Sequence, residues 1–386
     1  MASDSSNHTV AMVGAGQLAR MTHRAAIDLG VDLRVLASSA DDAAVKAGAE
    51  YLVGSPDQVG DLRELAEGAA VLTFDHEHAP PDVLAELEEE GVNLVPSAQA
   101  KRLAQDKLHM RQRLSELGFP VPPFALARSV EEVVEFASDH GWPLIAKAPS
   151  GGYDGKGVWE IDDESSLADL GDQLESGLLL EPKLALEREL SVVVARSTSG
   201  ETIAFPVAET VQRDSMCREI LVPAPIRPNL ACEAEDLAVA IVDATDACGV
   251  VAVEMFVVGD ELSINELALR PHNSGHFTIE GTETSQFEQH LRAVLGWPLG
   301  STELTAPAVV TVNVVGPADG SDPRSRLAEA VAVPGAHLHL YGKESRPGRK
   351  LGHVTVRGDD LDSARESALS AVAILEGNAN GGEKSG

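Results

Sequence analysis

The sequence predicts an α/β protein with three folded parts: a parallel-sheet unit at the N-terminus, a larger middle region and a small strand-rich C-terminal region. Three observations predict it. The segment HTVAMVGAGQLARMTHRAAIDLG, starting at His8, is an apolar strand, a glycine turn and a helix, the opening of a parallel α/β unit. The loop PSGGYDGKG carries four glycines in seven residues, Gly151 to Gly157, between two strands. From about Thr305 the chain alternates strands (AVVTVNVVG, HLHLYGK, LGHVTV) before a closing helix, Leu361 to Leu375. At 386 residues it is long enough for two or three domains with ample core.

Composition narrows the classes of function. Sixty-one acids against thirty bases give a net charge of −31, which argues against a nucleic acid or an anionic membrane as partner. Only nine of the bases are lysine, a pattern that resembles proteins from salt-rich cytoplasm, and each lysine is more informative for being rare. Cys217, Cys232 and Cys248 have neither CxxC spacing nor an even count, so neither a disulfide framework nor a zinc cluster is expected. No apolar run reaches the length of a membrane span and MASDSSNH has no signal-peptide core, so a cytoplasmic protein is expected.

Taken in order, Gly14-Ala15-Gly16-Gln17 lets backbone approach a phosphate at a helix N-terminus. The next strand ends in Ala37-Ser38-Ser39 without the acid that holds a dinucleotide ribose, so a bland Rossmann-like turn, or one holding some other phosphate, is preferred. The strand AAVLTFDHEH delivers Asp75-His76-Glu77-His78 to the ligand-binding end of the sheet, with Glu77 the preferred ligand contact. This Rossmann-like domain is expected over residues 1–98. The middle region is expected over 99–302, with a flap subdomain at about 120–185. It begins with a helix from Ala98 to Leu117 and continues through the glycine flap, whose N–H groups, with Lys147 and Lys156, can surround a polyphosphate. It is not a P-loop, since Gly157 stands where Ser or Thr should follow the lysine. Backbone at Glu181 to Leu184 suits an adenine edge, and Glu189 a ribose.

Two strands, VVAVEMFVV and LSINEL, then meet around Gly259-Asp260-Glu261. A three-residue turn places Glu254 opposite Glu266, two like charges that call for a cation such as Mg²⁺ between them. A two-residue turn instead pairs Glu254 with Asn265 and sends Glu266 to the other face. Behind the hairpin, NELALRPHNSGH crowds an acid, an arginine, two histidines and two asparagines into one stretch, the expected catalytic centre. The C-terminal region, 303–375, carries four cations in the eight residues from Lys343 to Lys350, a local anion site in an acidic chain. Residues 376–386 are expected to be a disordered tail.

In this order GAGQLARM, GGYDGKG, VEMF, NELALRPHNSGH, TSQFEQHLRAVLGWPLG and KESRPGRK resemble the ATP-grasp ligases of purine synthesis, specifically the biotin-independent carboxylating 5-(carboxyamino)imidazole ribonucleotide synthases. The resemblance runs from about Thr9 to Leu375 and implies an ATP-grasp fold for the middle region. It implies ATP with one or two Mg²⁺ ions, for which Mn²⁺ can substitute, no biotin, and aminoimidazole ribonucleotide and bicarbonate as substrates of a homodimer. It places ATP under Gly152, Tyr153, Asp154, Gly155, Lys156 and Gly157, with its phosphates on Arg102, Lys147 and Lys156. Adenine would face Glu181, Pro182, Lys183 and Leu184, ribose Glu189, and Mg²⁺ Glu254 and Glu266 with Asn265 nearby, which favours the three-residue turn. Arg270, His272 and Asn273 would surround bicarbonate and its phosphorylated form, leaving His276 structural. Gln17, Leu18, Glu77, Asp154, Lys343, Arg346, Arg349 and Lys350 would hold the ribonucleotide. The family usually has a proline where Leu269 stands, a histidine where Gln212 aligns, and a different strand-end motif at Asp75-His76-Glu77. The competing readings are another ATP-grasp purine ligase, such as the formate-dependent glycinamide ribonucleotide transformylase, or an ATP-binding module without turnover.

Overall fold

A computed structural model describes residues 8–151 and 157–378. Strands β1 (Thr9–Val13), β2 (Asp32–Ala37), β3 (Glu50–Val53) and β4 (Val71–Phe74) form an all-parallel sheet in the order β3-β2-β1-β4. β1 and β4 are apolar nearly throughout because helices cover both faces of the sheet. The helix Gln17–Leu29 buries Leu18, Ala19, Met21, Thr22 and Ala26, the spacing of one helical face, and stops at Gly30, whose φ of 67° is a left-handed cap.

The flap subdomain is an antiparallel sheet of β5 (Ala125–Ala127), β6 (Leu144–Lys147), β7 (Val158–Ile161) and β8 (Leu178–Pro182), in the order β5-β8-β6-β7. The glycine flap joins β6 to β7, and Ala148 N bonds Gly157 O (2.8 Å) at its base.

The largest sheet is built from β9 (Arg188–Arg196), β10 (Thr202–Ala204), β11 (Ala208–Arg213), β12 (Met216–Val222), β13 (Gly249–Val258), β14 (Glu261–Ala268), β15 (Ala308–Val315), β16 (Ala336–Leu340) and β17 (Lys350–Gly358). Its order is β14-β13-β9-β11-β12-β15-β17-β16, with β10 on β9. β12, which sequence reasoning passed over, pairs with β15, so the C-terminal strands continue this sheet instead of forming a separate one. Its polar start, Met216-Cys217-Arg218-Glu219, hides the apolar Ile220-Leu221-Val222 that follows.

The long helix expected from Ala98 to Leu117 is two helices, Ala98–Gln105 and Lys107–Glu116. Asp106 breaks it, turning extended and accepting a hydrogen bond from His109 N (2.9 Å) as N-cap of the second. Lys107 N is thereby free of the helix ladder and bonds Pro149 O (2.8 Å), which aims its side chain at the hairpin. The helix Gln286–Val294 lies between the N-terminal helix and β13, and its Leu291 and Val294 join the core of the parallel sheet. Among the described residues no helix is long and apolar enough to cross a membrane.

Candidate active site

The β13–β14 hairpin forms the floor. Its turn is the two-residue kind: Val258 pairs with Glu261 and Met255 with Ile264. The expected three-residue turn is therefore wrong, yet Glu254 does pair with Glu266, because the register slips between Met255 and Glu254 and Asn265 becomes the extra residue of a bulge. Across β9, Glu254 faces Ser191 and Phe256 faces Glu189, so these groups share one sheet face. Burial, then the charges of Glu266 and Glu189, push the Glu254 carboxyl up to about 8. The cleft also opposes the charge of Glu266, but Lys107, 2.9 Å from its Oε2, and Lys147 outweigh that and hold it below the usual range.

Lys147 reaches this floor from the flap sheet. Its Nζ lies 2.7 Å from Glu181 Oε2 and donates to Asn265 Oδ1 at 3.3 Å. Glu181 is 3 % exposed and accepts from Arg111 Nε (2.5 Å), itself 1 % exposed. Removing one partner of such a buried pair costs about 3–5 kcal/mol, so the Glu181 side chain ties the flap sheet to the helix Lys107–Glu116. Just past β8, Lys183 N donates to Pro143 O (3.0 Å), Leu184 O accepts from Leu186 N (3.0 Å), and the Lys183 ammonium pairs with Glu160. Pro182 pairs with Leu144. Glu189 accepts from Gln212 Nε2 at 3.1 Å, and burial raises its carboxyl above the ordinary range.

Beyond the hairpin, Arg270 Nε lies 2.7 Å from Glu77 Oε1, joining the catalytic stretch to the end of the parallel sheet. Burial opposes the Glu77 charge, but Arg270 and Lys101 hold its carboxyl below the usual range. The His272 ring is depressed to about 3 by burial and by Arg270, and is neutral. Its Nδ1 accepts from Ser274 N (3.4 Å), which leaves the proton on Nε2, 3.5 Å from Glu254 Oε1. Asn273 has both amide atoms shielded from solvent and without a hydrogen-bond partner among the described residues. Fully buried His276 stacks on His353 with ring centroids 4.8 Å apart and accepts from Gln286 Nε2 at 3.3 Å.

A cleft of about 690 Å³ separates the glycine turn from the basic loop, with Gly14, Gly16, Ser38, Lys46, His76, Lys343, Arg346 and Arg349 among its walls. The anion at the turn is the protein's own: Gly16 N donates to Asp75 Oδ2 (2.8 Å), and a Cβ on Gly14 would fall 1.7 Å from Asp75 Oδ1. Burial pushes Asp75 up to about 6, the Gly16 N–H opposing. The Lys343 ammonium bonds Gln17 Oε1, Arg346 pairs with Glu344 (2.7 Å), and Arg349 Nη1 donates to Glu344 O (3.2 Å). Leu18 packs with Met21, Phe287 and Tyr341. Lys350 is set apart from this wall, and its charge bears on His272 and His276.

Arg102 sits, exposed, in the last turn of its helix, where its charge bears on His109. Gly152, Tyr153, Asp154, Gly155 and Lys156 lie outside the described residues. Lys107, Arg111 and Lys101 were missed. Lys101 is 1 % exposed, donates to His76 O (2.8 Å) and stands over the Phe74 ring at 4.2 Å. The scarcity of lysine that singled out Lys147 and Lys156 applied equally to Lys101 and Lys107.

Family models match almost the whole chain: a ribonucleotide synthetase preATP-grasp domain over 7–105, an ATP-grasp domain over 112–287, and a phosphoribosylaminoimidazole carboxylase C-terminal domain over 309–367. N5-carboxyaminoimidazole ribonucleotide synthase of Mycobacterium tuberculosis is 49% identical over 95% of this chain and 87% of its own. That of Corynebacterium ammoniagenes is 44% identical over 95% and 91%. Among solved structures, an N5-carboxyaminoimidazole synthase from Aspergillus clavatus in complex with ADP and 5-aminoimidazole ribonucleotide superposes with a TM-score of 0.87 at 31% identity, covering 96% of this chain and 99% of that one.

Proposed function

Because the chain belongs to the N5-carboxyaminoimidazole ribonucleotide synthases, we propose how its residues divide that family's reaction. The enzyme is an ATP-dependent ligase that carboxylates aminoimidazole ribonucleotide in purine biosynthesis. ATP lies on the face shared by Glu189, Glu254 and Glu266, its phosphates toward Lys107, Lys147 and the glycine flap. Bicarbonate oxygen attacks the γ-phosphorus and ADP leaves. The resulting carboxyphosphate releases phosphate as its carbon passes, as CO₂, to the exocyclic amine of the ribonucleotide, which loses a proton. No biotin is needed, since carboxyphosphate carries the activated carbon.

Glu254 and Glu266 fit one or two Mg²⁺ ions, with Mn²⁺ as substitute: of the two opposed carboxylates Glu266 is paired with Lys107, while Glu254 is pushed toward its neutral form. Mg²⁺ takes one or two carboxylates and otherwise substrate phosphates, a set that these two acids and a bound nucleotide can supply. When bound it neutralises phosphate charge. The chain's own part is positioning and charge stabilisation. The ribonucleotide occupies the cleft between Gly14–Gly16 and Lys343, Arg346 and Arg349; Glu77 and Asp154, the latter outside the described residues, are assigned to it by the family resemblance.

The observation that carries the bicarbonate assignment is the buried amide of Asn273, without a hydrogen-bond partner among the described residues, in the same short stretch as the Arg270 guanidinium fixed by Glu77 and the neutral His272 ring. ADP release measured with bicarbonate and aminoimidazole ribonucleotide, singly and together, tests it. Strong stimulation by the pair supports the reading; stimulation by formate in place of bicarbonate, or none by any pair, overturns it. A homodimer, a cytoplasmic setting and adaptation to high salt belong to the same proposal; the charge of −31 supports the last.

A further inference from the structure

The helix Gln286–Val294 carries three polar side chains, Gln286, Gln289 and His290, that are wholly buried. Such groups destabilise a core unless they are bonded, and each of these bonds a segment outside its helix. His290 Nδ1 accepts from Val250 N on β13 (3.2 Å), so its proton sits on Nε2, which donates to Thr73 Oγ1 on β4 (2.8 Å). Gln289 donates to Gly300 O (2.6 Å) and accepts from Gly300 N (2.9 Å). Gln286 does the same to His272, accepting from its N (2.8 Å) and donating to its O (2.7 Å). The fit is tight: a Cβ on Gly275 would lie 2.5 Å from Gln286 Oε1.

Of the three, only Gln286 holds the stretch that carries Arg270, His272 and Asn273. That stretch is irregular apart from the short turn Asn273–Gly275, so it has no neighbouring strand to satisfy its main chain. A side-chain amide presents C=O and N–H side by side, and here it replaces that strand. With its backbone fixed, the His272 ring is pinned by Ser274 Oγ (2.9 Å), which meets Ser191 Oγ on β9 (2.7 Å). Nε2–H is thereby left facing Glu254.

We propose that Gln286 is a positioning residue for bicarbonate activation, acting through His272. This rests on the bicarbonate assignment above. The experiment compares Gln286→Met, which keeps shape and loses both bonds to His272 together with the one to His276 Nδ1, with Gln289→Met, which loses its pair of bonds to Gly300 outside the site. Gln286→Met is expected to raise KM for bicarbonate about tenfold or more, with KM for ATP and ribonucleotide within about twofold. Gln289→Met is expected to lower thermal stability and leave the bicarbonate KM unchanged. Equal changes for all substrates, or the same profile from both variants, overturn the proposal.

Gln286→Glu decides the matter if the methionine variant does not fold. Its ionised carboxylate repels His272 O and the acceptor Nδ1 of the buried, neutral His276, while the protonated acid can donate to His272 O, so activity relative to wild type should recover as pH falls from about 8 to about 6. A flat ratio overturns the clamp. Wild-type turnover that ignores bicarbonate would overturn the bicarbonate assignment and the clamp with it, and is seen without any variant.

Discussion

Glu254 faces Glu266 across a hairpin whose turn alone pairs Glu254 with Asn265. The bulge at Asn265 both restores the opposition of the two acids and turns the Asn265 amide toward Lys147. Glu266→Gln is therefore expected to cut Mg²⁺-dependent ADP formation by about a hundredfold or more while the protein melts normally. Retained turnover would remove the hairpin metal site.

The raised carboxyl of Glu254 gives a stability prediction whose sign is fixed. A carboxylate held above its unfolded value binds its proton more tightly when folded, so it costs nothing below about 4.5 and weakens the fold as pH rises toward about 8. Without metal, the melting temperature of the wild type should fall relative to that of Glu254→Gln across this window. Mg²⁺ with ADP should recover the difference most at the alkaline end. Parallel melting curves with and without the substitution would count against the assignment.

Lys107 and Arg102 separate the helix expected from sequence from the two helices found. Lys107→Met is expected to raise KM for ATP or lower kcat by about tenfold or more, since it removes the cation beside Glu266. Arg102→Met should stay within about twofold of wild type. Steady-state kinetics on the two variants decide which cation serves the phosphates.

Lys343→Ala should raise KM for the ribonucleotide far more than KM for ATP, because Lys343 lines the cleft opposite the glycine turn. Equal effects on both substrates would move the ribonucleotide phosphate elsewhere.

The excess of acids predicts a melting temperature that rises from low to molar salt, as screening relieves self-repulsion. A melt unchanged by salt would refute the adaptation.

Local patterns in the chain were enough to read the parallel N-terminal unit, the glycine flap between two strands, the acid-bearing hairpin and the basic loop. Each is written in contiguous residues: apolar runs, glycine clusters, charges against an acidic background. Tertiary structure alone decided the rest, because it depends on groups distant in sequence meeting in space. No spacing rule reveals that Asp106 breaks a helix so that Lys107 meets Glu266, 159 residues away. Nor does one reveal that Asp75 fills the turn at Gly14–Gly16, or that Gln286 stands in for a strand beside His272. The hairpin shows the division most plainly. Its sequence determined that two acids lie near a turn, but a bulge, stabilised by packing and by Lys147 from another sheet, decided which face they share.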